Sequence, residues 1–139
     1  MKSKWNIKLN DVYLSPGEVF EEIERLFGLN LRNAFDPCPF PESEHNGLEI
    51  PWQNPTYCNP PFSKAIQWIQ KAICEADKGI TTIMLLPWYV QYGNSACRHI
   101  LPVEKFKRFT YNFVNPITGK VANMRHGCIL IRIDNNGIH

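Results

Sequence analysis

Four consecutive residues, Asn59-Pro60-Pro61-Phe62, combine an amide side chain, two rigid prolines and an aromatic ring. Proline has no backbone N–H, so the carbonyls of Asn59 and Pro60 are expected to face outward as acceptors in a turn of fixed φ. The amide oxygen of Asn59 can join them in holding an –NH2 group, while Phe62 offers a flat apolar surface for a ring. Such a set can grip a planar molecule by its exocyclic amine. Asn-Pro is also ordinary turn chemistry, and Pro-Pro also ends strands. The surroundings must therefore carry part of the argument.

Other chemistries find less support. Cys38, His45 and Cys58 form no Cys-x2-Cys pair, so no metal site is expected. The four histidines show no nucleophile–base signature. The five cysteines are odd in number and scattered, which fits free thiols in a reducing compartment. No run approaches the roughly 20 apolar residues of a membrane span, and no apolar signal core follows Met1-Lys2-Ser3-Lys4-Trp5. A cytoplasmic protein is expected, in the host-cell cytoplasm if a phage or virus encodes it.

At 139 residues, with 44% apolar and 20% charged side chains, the chain suits one globular domain over 1–139. Its net charge of +2 hides a split: residues 1–50 hold five basic and nine acidic side chains, residues 98–139 seven basic and two acidic. The C-terminal half could therefore face a polyanion, although a solvated surface has the same composition.

The elements that must position the tetrad are legible by pattern. Residues 1–14 are expected to lie extended over the body. Ser15-Pro16-Gly17-Glu18 has capping-box spacing, with Ser15 as N-cap and Pro16 at N1. Val19, Phe20, Ile23, Leu26 and Phe27 then form one helical face that Gly28 closes. Leu29 to Phe35 reads as a short strand ending at Asp36-Pro37-Cys38-Pro39. A Pro-punctuated loop over 40–56 leads to a second strand at Tyr57-Cys58, which delivers Asn59 at its tip. Ser63 is placed to cap a helix over 64–78. Ile80 to Leu86 is a continuous apolar run suited to a buried parallel strand. A short helix is expected over 93–101. A last strand over 128–133 is expected to lie antiparallel to 107–114, after a turn at Asn115–Gly119.

With those placements the chain resembles the small phage-type DNA N6-adenine methyltransferase (Dam-like) family, among the S-adenosylmethionine-dependent amino-methyltransferases. The resemblance runs from about Tyr13 to Ile133. Asn59-Pro60-Pro61-Phe62 looks like the catalytic motif, and Phe35-Asp36-Pro37-Cys38 stands where the cofactor strand ends. Ser15-Pro16, Gly47-Leu48, Trp52, Leu85-Leu86-Pro87 and Arg108-Phe109 fall in the family's order. Two departures from general class I methyltransferases stand out: residues 36–39 contain no glycine, and only 22 residues separate Asp36 from Asn59.

The resemblance implies an α/β protein with an abbreviated class I, Rossmann-like methyltransferase fold, central parallel strands and a C-terminal antiparallel hairpin, without a separate target-recognition domain. It implies S-adenosyl-L-methionine as cofactor and double-stranded DNA as partner. Asn59, Pro60, Pro61 and Phe62 would be catalytic, and Ser15, Pro16, Asp36, Pro37 and Cys38 would line the cofactor. Glu42, Glu44 and Glu49 are candidates for its ribose. Lys105, Lys107, Arg108, Lys120 and Arg125 surround the expected hairpin and could meet phosphates. Loops 88–98 and 115–127 would have to supply sequence specificity. An amine grip also suits cytosine N4, RNA or a protein glutamine, and the missing glycine turn leaves room for a catalytically silent binding module. Oligomeric state is not legible in the chain.

Overall fold

The computed structural model describes residues 15–39, 44–91, 100–101, 106–123 and 127–139. The extended segment expected over 1–14 lies outside these residues, as does the short helix expected over 93–101 except for its last two positions. Two helices, α1 (Gly17–Phe27) and α2 (Ala65–Ala76), accompany strands β1 (Thr56–Cys58), β2 (Thr82–Pro87), β3 (Asn112–Val114), β4 (Val121–Asn123), β5 (Cys128–Asp134) and β6 (Gly137–Ile138).

The main sheet is mixed and open, in the order β1-β2-β5-β6. β1 runs parallel to β2, while β5 is antiparallel to both β2 and β6. A single parallel bridge from Phe35 to Thr56 continues the sheet beyond β1. The protein is thus mixed α/β, and the parallel arrangement expected of its centre is only partial.

Period-2 alternation divides the core between the two faces. Tyr57, Ile83, Leu85, Cys128 and Leu130 pack with Val19 and Ile23 of α1. Cys58, Met84, Leu86, Ile129, Ile131 and Ile133 pack with Trp68, Ile69, Ala72 and Ala76 of α2. The register agrees, since Tyr57 sits beside Ile83, Ile83 beside Arg132, and Leu85 beside Leu130. β2 is buried along its whole length because each of its faces lies under a helix. Each of its large apolar side chains contributes about 1.5–3 kcal/mol by burial.

Local chemistry moved several expected boundaries. Pro16 has φ −69° and ψ 154°, so its extended backbone makes it the N-cap of α1, and no side chain caps the helix. Gly28, at φ +69°, ends α1 in the left-handed conformation, its N–H donating to the Glu24 carbonyl at 2.9 Å. The strand expected over 29–35 is mostly a turn: Ala34 N–H donates to the Leu31 carbonyl, Arg32 N–H to Asn30 Oδ1, and only Phe35 joins the sheet. Ser63 is not the cap of α2; Lys64 holds that position and makes no side-chain cap bond.

The last strand also differs from expectation. β5 pairs along β2, and its only bridge to the 107–114 segment joins Phe109 to Cys128. Residues 115–119 turn instead between β3 and β4, which form a separate two-stranded ribbon. β5 is apolar on both faces, which suits it to a covered position beside β2 rather than to a half-exposed ribbon.

Candidate active site

β1 is short and wholly buried, held by Phe35 on one side and β2 on the other. Its C-terminal end therefore has a fixed direction, and Asn59 is the next residue. Asn59 and Phe62 are half-buried, whereas Pro60 and Pro61 are buried. Lys64 N–H donates to the Pro61 carbonyl at 3.0 Å as a 3-10 turn over Phe62–Lys64 starts. That bond takes one carbonyl of the tetrad into the turn. The Pro60 carbonyl and the Asn59 amide oxygen are the candidate acceptors for a grip.

One hydrogen bond orients the Asn59 amide. Its Nδ2 donates to Ser15 Oγ at 3.1 Å, and Ser15 Oγ lies 2.6 Å from the Tyr57 hydroxyl. Ser15 thus serves the tetrad rather than the helix it was expected to cap. Tyr57 is buried, tilted against Phe20 of α1 at 4.9 Å between ring centroids. Burial pushes its phenol well above the ordinary range, with the nearby Asp36 adding to the effect against the opposing Ser15 bond, so it stays protonated. Sequence reasoning missed Tyr57. The signal was its spacing, since residues 57 and 59 on one strand direction share a face.

Asp36 follows the Phe35 bridge, so it stands at the same edge of the sheet as Asn59. Cys38 N–H donates to Asp36 Oδ1 at 2.9 Å, closing an Asx turn through Pro37. The residue keeps contact with solvent, but protein walls its carboxyl and strips part of its hydration. Desolvation raises its pKa to about 6, against the smaller lowering by the Cys38 bond. Cys58, fully buried beside Cys38 and Asp36, has its thiol pushed well up, first by desolvation and then by those neighbours. It is an inert core thiol.

The loop before β1 braces this edge. Trp52 Nε1 donates to the Gly47 carbonyl at 2.7 Å, and Trp52 N–H donates to Glu75 Oε2 of α2 at 3.3 Å. Glu75 is only 1% exposed, and Lys71 and Lys78 reach its other oxygen at 2.8 and 3.3 Å. Desolvation would raise this carboxyl, yet its bonds to Lys71, Trp52 and Lys78 together hold it below the ordinary value. Glu44 and Glu49 are exposed, and Glu42 lies outside the described residues.

Among the described residues the basic candidates do not gather in one patch. Lys107 Nζ lies 3.8 Å from Glu22 of α1 and 5.2 Å from the Phe109 ring centroid. Arg108 turns elsewhere, its guanidinium 5.1 Å from the ring centroid of Trp88, just beyond the end of β2. Lys120 is exposed at the β3–β4 turn, and Lys105 and Arg125 lie outside the described residues. Arg108 is therefore the basic candidate on the tetrad's side of the sheet.

Among the described residues no three His, Cys, Asp or Glu side chains gather as a metal site, and no helix is long and apolar enough to cross a membrane. No curated protein and no solved structure matches the chain. One family model does, over residues 2–135. That span takes in α1, the Asp36 turn, the tetrad and nearly all of the sheet. The chain belongs to the DNA N-6-adenine-methyltransferase (Dam) family.

Proposed function

We propose that this chain transfers a methyl group from S-adenosyl-L-methionine to the exocyclic N6 of an adenine flipped out of double-stranded DNA. The observation that carries the reading is the Asn59 amide, bonded through Nδ2 to Ser15 so that Oδ1 is its opposite end. The partial parallel sheet with a helix on each face supports an abbreviated class I, Rossmann-like fold, and a single domain acting in the cytoplasm belongs to the same proposal. Ligands of such sheets bind beyond the carboxyl ends of parallel strands, where Asp36 and Asn59 stand.

The residues present fit the proposed cofactor. A carboxylate with protein packed along it loses part of its hydration and gains from a cationic neighbour, and Asp36, still open to solvent, is one. Pro16, Asp36, Pro37 and Cys38 would hold its amino-acid end, while the Ser15 hydroxyl is engaged by Asn59. When bound, the cofactor supplies an electrophilic methyl group on a sulfonium sulfur.

Adenine N6 is a poor nucleophile because its lone pair is delocalised into the ring. Asn59 Oδ1 and the Pro60 carbonyl accept its two hydrogens, which favours a pyramidal nitrogen and turns the lone pair toward the methyl. The methyl group would pass from the sulfonium to that lone pair, the sulfur keeping the bonding pair, so these residues would have only to hold the amine in line. The extra proton on nitrogen leaves to solvent afterwards, so no strong base is required. Positioning supplies the acceleration. Phe62 stacks on the extruded base, whose removal from the duplex is needed for reach. Arg108, seated on Trp88, is the proposed phosphate contact nearest the base.

Incubation of unmethylated DNA with the cofactor, followed by nucleoside analysis, tests this reading. N6-methyladenine is the expected product. N4-methylcytosine alone, or no methylated nucleoside from a folded sample that binds DNA, would overturn it.

A further inference from the structure

We propose that Ser15 is a positioning residue for Asn59, and that Tyr57 sets the direction in which Ser15 offers its hydroxyl. The inference rests on the reading above, because it concerns which end of the Asn59 amide meets the substrate amine. Ser15 stands 44 residues from Asn59 in sequence, yet its oxygen is 3.1 Å from Nδ2. Helix α1 makes no use of that hydroxyl, since Pro16 is its N-cap and no side chain caps it.

An asparagine amide is nearly symmetric in shape and has opposite hydrogen-bonding character at its two ends. Turned over, the same side chain would present two N–H donors to a substrate –NH2, and the grip would be lost. Sterics discriminate weakly between the two orientations, so a partner of one-sided character must do it. Ser15 by itself is two-sided, because a hydroxyl can donate or accept. The Tyr57 phenol is two-sided as well, so either oxygen could donate across the 2.6 Å between them; in the proposed arrangement Ser15 gives its one proton to Tyr57 Oη and has only lone pairs to offer Asn59. Those lone pairs select Nδ2 and send Oδ1 the other way.

The phenol is well placed for this role. Tyr57 is 4% exposed, its backbone N–H donates to the Phe35 carbonyl at 2.9 Å, and its ring is wedged against Phe20. Strand and helix therefore fix Oη, and burial keeps the phenol neutral across the working range of pH. Tyr57 and Asn59 share the α1 face by strand alternation, so the residue entering α1 can reach both. The start of α1 is thereby joined to the amine grip.

The test uses the full-length Ser15→Ala, Ser15→Thr, Tyr57→Phe and Ser15→Ala/Tyr57→Phe proteins. Two readouts are taken: the side-chain Nδ2H2 signals of Asn59 by NMR, identified by their loss in Asn59→Ala, and single-turnover methylation of DNA. Ser15→Ala is expected to shift the Asn59 amide signals and speed their exchange with water. It should lower kcat roughly 10- to 100-fold, with KM for DNA and for cofactor changed by less than about threefold. Ser15→Thr, which keeps the hydroxyl, should restore most of the rate. Tyr57→Phe should add no further loss once Ser15 is alanine, because it acts through that hydroxyl.

Unchanged Asn59 amide signals in folded Ser15→Ala would overturn the proposal. So would a raised KM for cofactor with kcat intact, which would make Ser15 a cofactor contact instead. If the amide signals shift as expected but the wild-type protein forms no N6-methyladenine, the orientation of Asn59 by Ser15 is upheld and the proposed reaction is what fails.

Discussion

The carbonyl oxygen of Pro37 occupies the place where a side chain on residue 47 would begin: a Cβ built on Gly47 falls 1.9 Å from it. The glycine absent from residues 36–39 therefore has a counterpart ten residues later, where backbone meets backbone. Trp52 holds this contact closed by its bond to the Gly47 carbonyl. Gly47→Ala must push the two segments apart, and is expected to cost about 1–3 kcal/mol of stability. Denaturant unfolding measures that, and calorimetry should show weakened cofactor binding alongside it. An alanine protein with wild-type stability would mean that the two turns separate freely.

Glu75 ties α2 to the loop that carries Gly47. Its carboxyl accepts from Trp52 N–H, Lys71 and Lys78 while almost fully covered. Glu75→Gln keeps the shape, removes the charge and should cost about 1.5–3 kcal/mol. Because the folded carboxyl lies below its ordinary value, its contribution is complete at neutral pH and fades as pH falls through the ordinary carboxylate range and below. Urea midpoints of wild type and Glu75→Gln should therefore converge on acidification. A gap that stays constant would contradict this.

Asp36 has the opposite sign. Its carboxyl titrates near 6 in the folded protein, above the ordinary 3.8, so the unliganded protein loses stability as pH rises between those values. A cationic ligand needs the ionised form, so cofactor affinity should rise through pH 6. At pH 5 only about a tenth of the carboxyl is ionised, and binding should be about tenfold weaker than at pH 7. Calorimetry at the two pH values checks this, with Asp36→Asn expected to bind weakly and almost equally at both. An Asp36→Asn protein that keeps the wild-type pH dependence would remove Asp36 from the cofactor site.

Adjacent basic residues should behave differently toward DNA. Lys107 is engaged with Glu22 and Phe109 on the α1 side, whereas Arg108 lies over Trp88 at the tetrad's edge. Arg108→Ala should weaken DNA binding and reduce the slope of log K against log salt by about 1, and Lys107→Ala should leave that slope nearly unchanged. Titrations over several salt concentrations decide it. Equal effects would place both side chains on phosphates.

Much of the frame was legible because it rests on local pattern. The apolar face of α1, the buried run of β2 and the turn at Asn115–Gly119 are each written in neighbouring residues. The expected strand over 29–35 failed because Asn30 and the Leu31–Ala34 turn bond locally and compete with a ladder. The partner of β5 was misjudged because short separation favoured 107–114, while two apolar faces required the centre of the sheet. Within the candidate site the tetrad was visible as a motif, yet the Ser15–Tyr57–Asn59 chain was not. Ser15 looked like a helix cap, and nothing local to it points 42 or 44 residues ahead.

The proposed amine grip by Asn59 is the central claim, and Asn59→Ala addresses it directly. The substitution removes both ends of a half-buried amide without touching the packing of β1, so the fold should survive, as circular dichroism and thermal unfolding can check. Nucleoside analysis of DNA incubated with this variant and the cofactor, under conditions where the wild-type protein methylates it, should show no N6-methyladenine. Undiminished N6-methyladenine from folded Asn59→Ala protein would contradict the account.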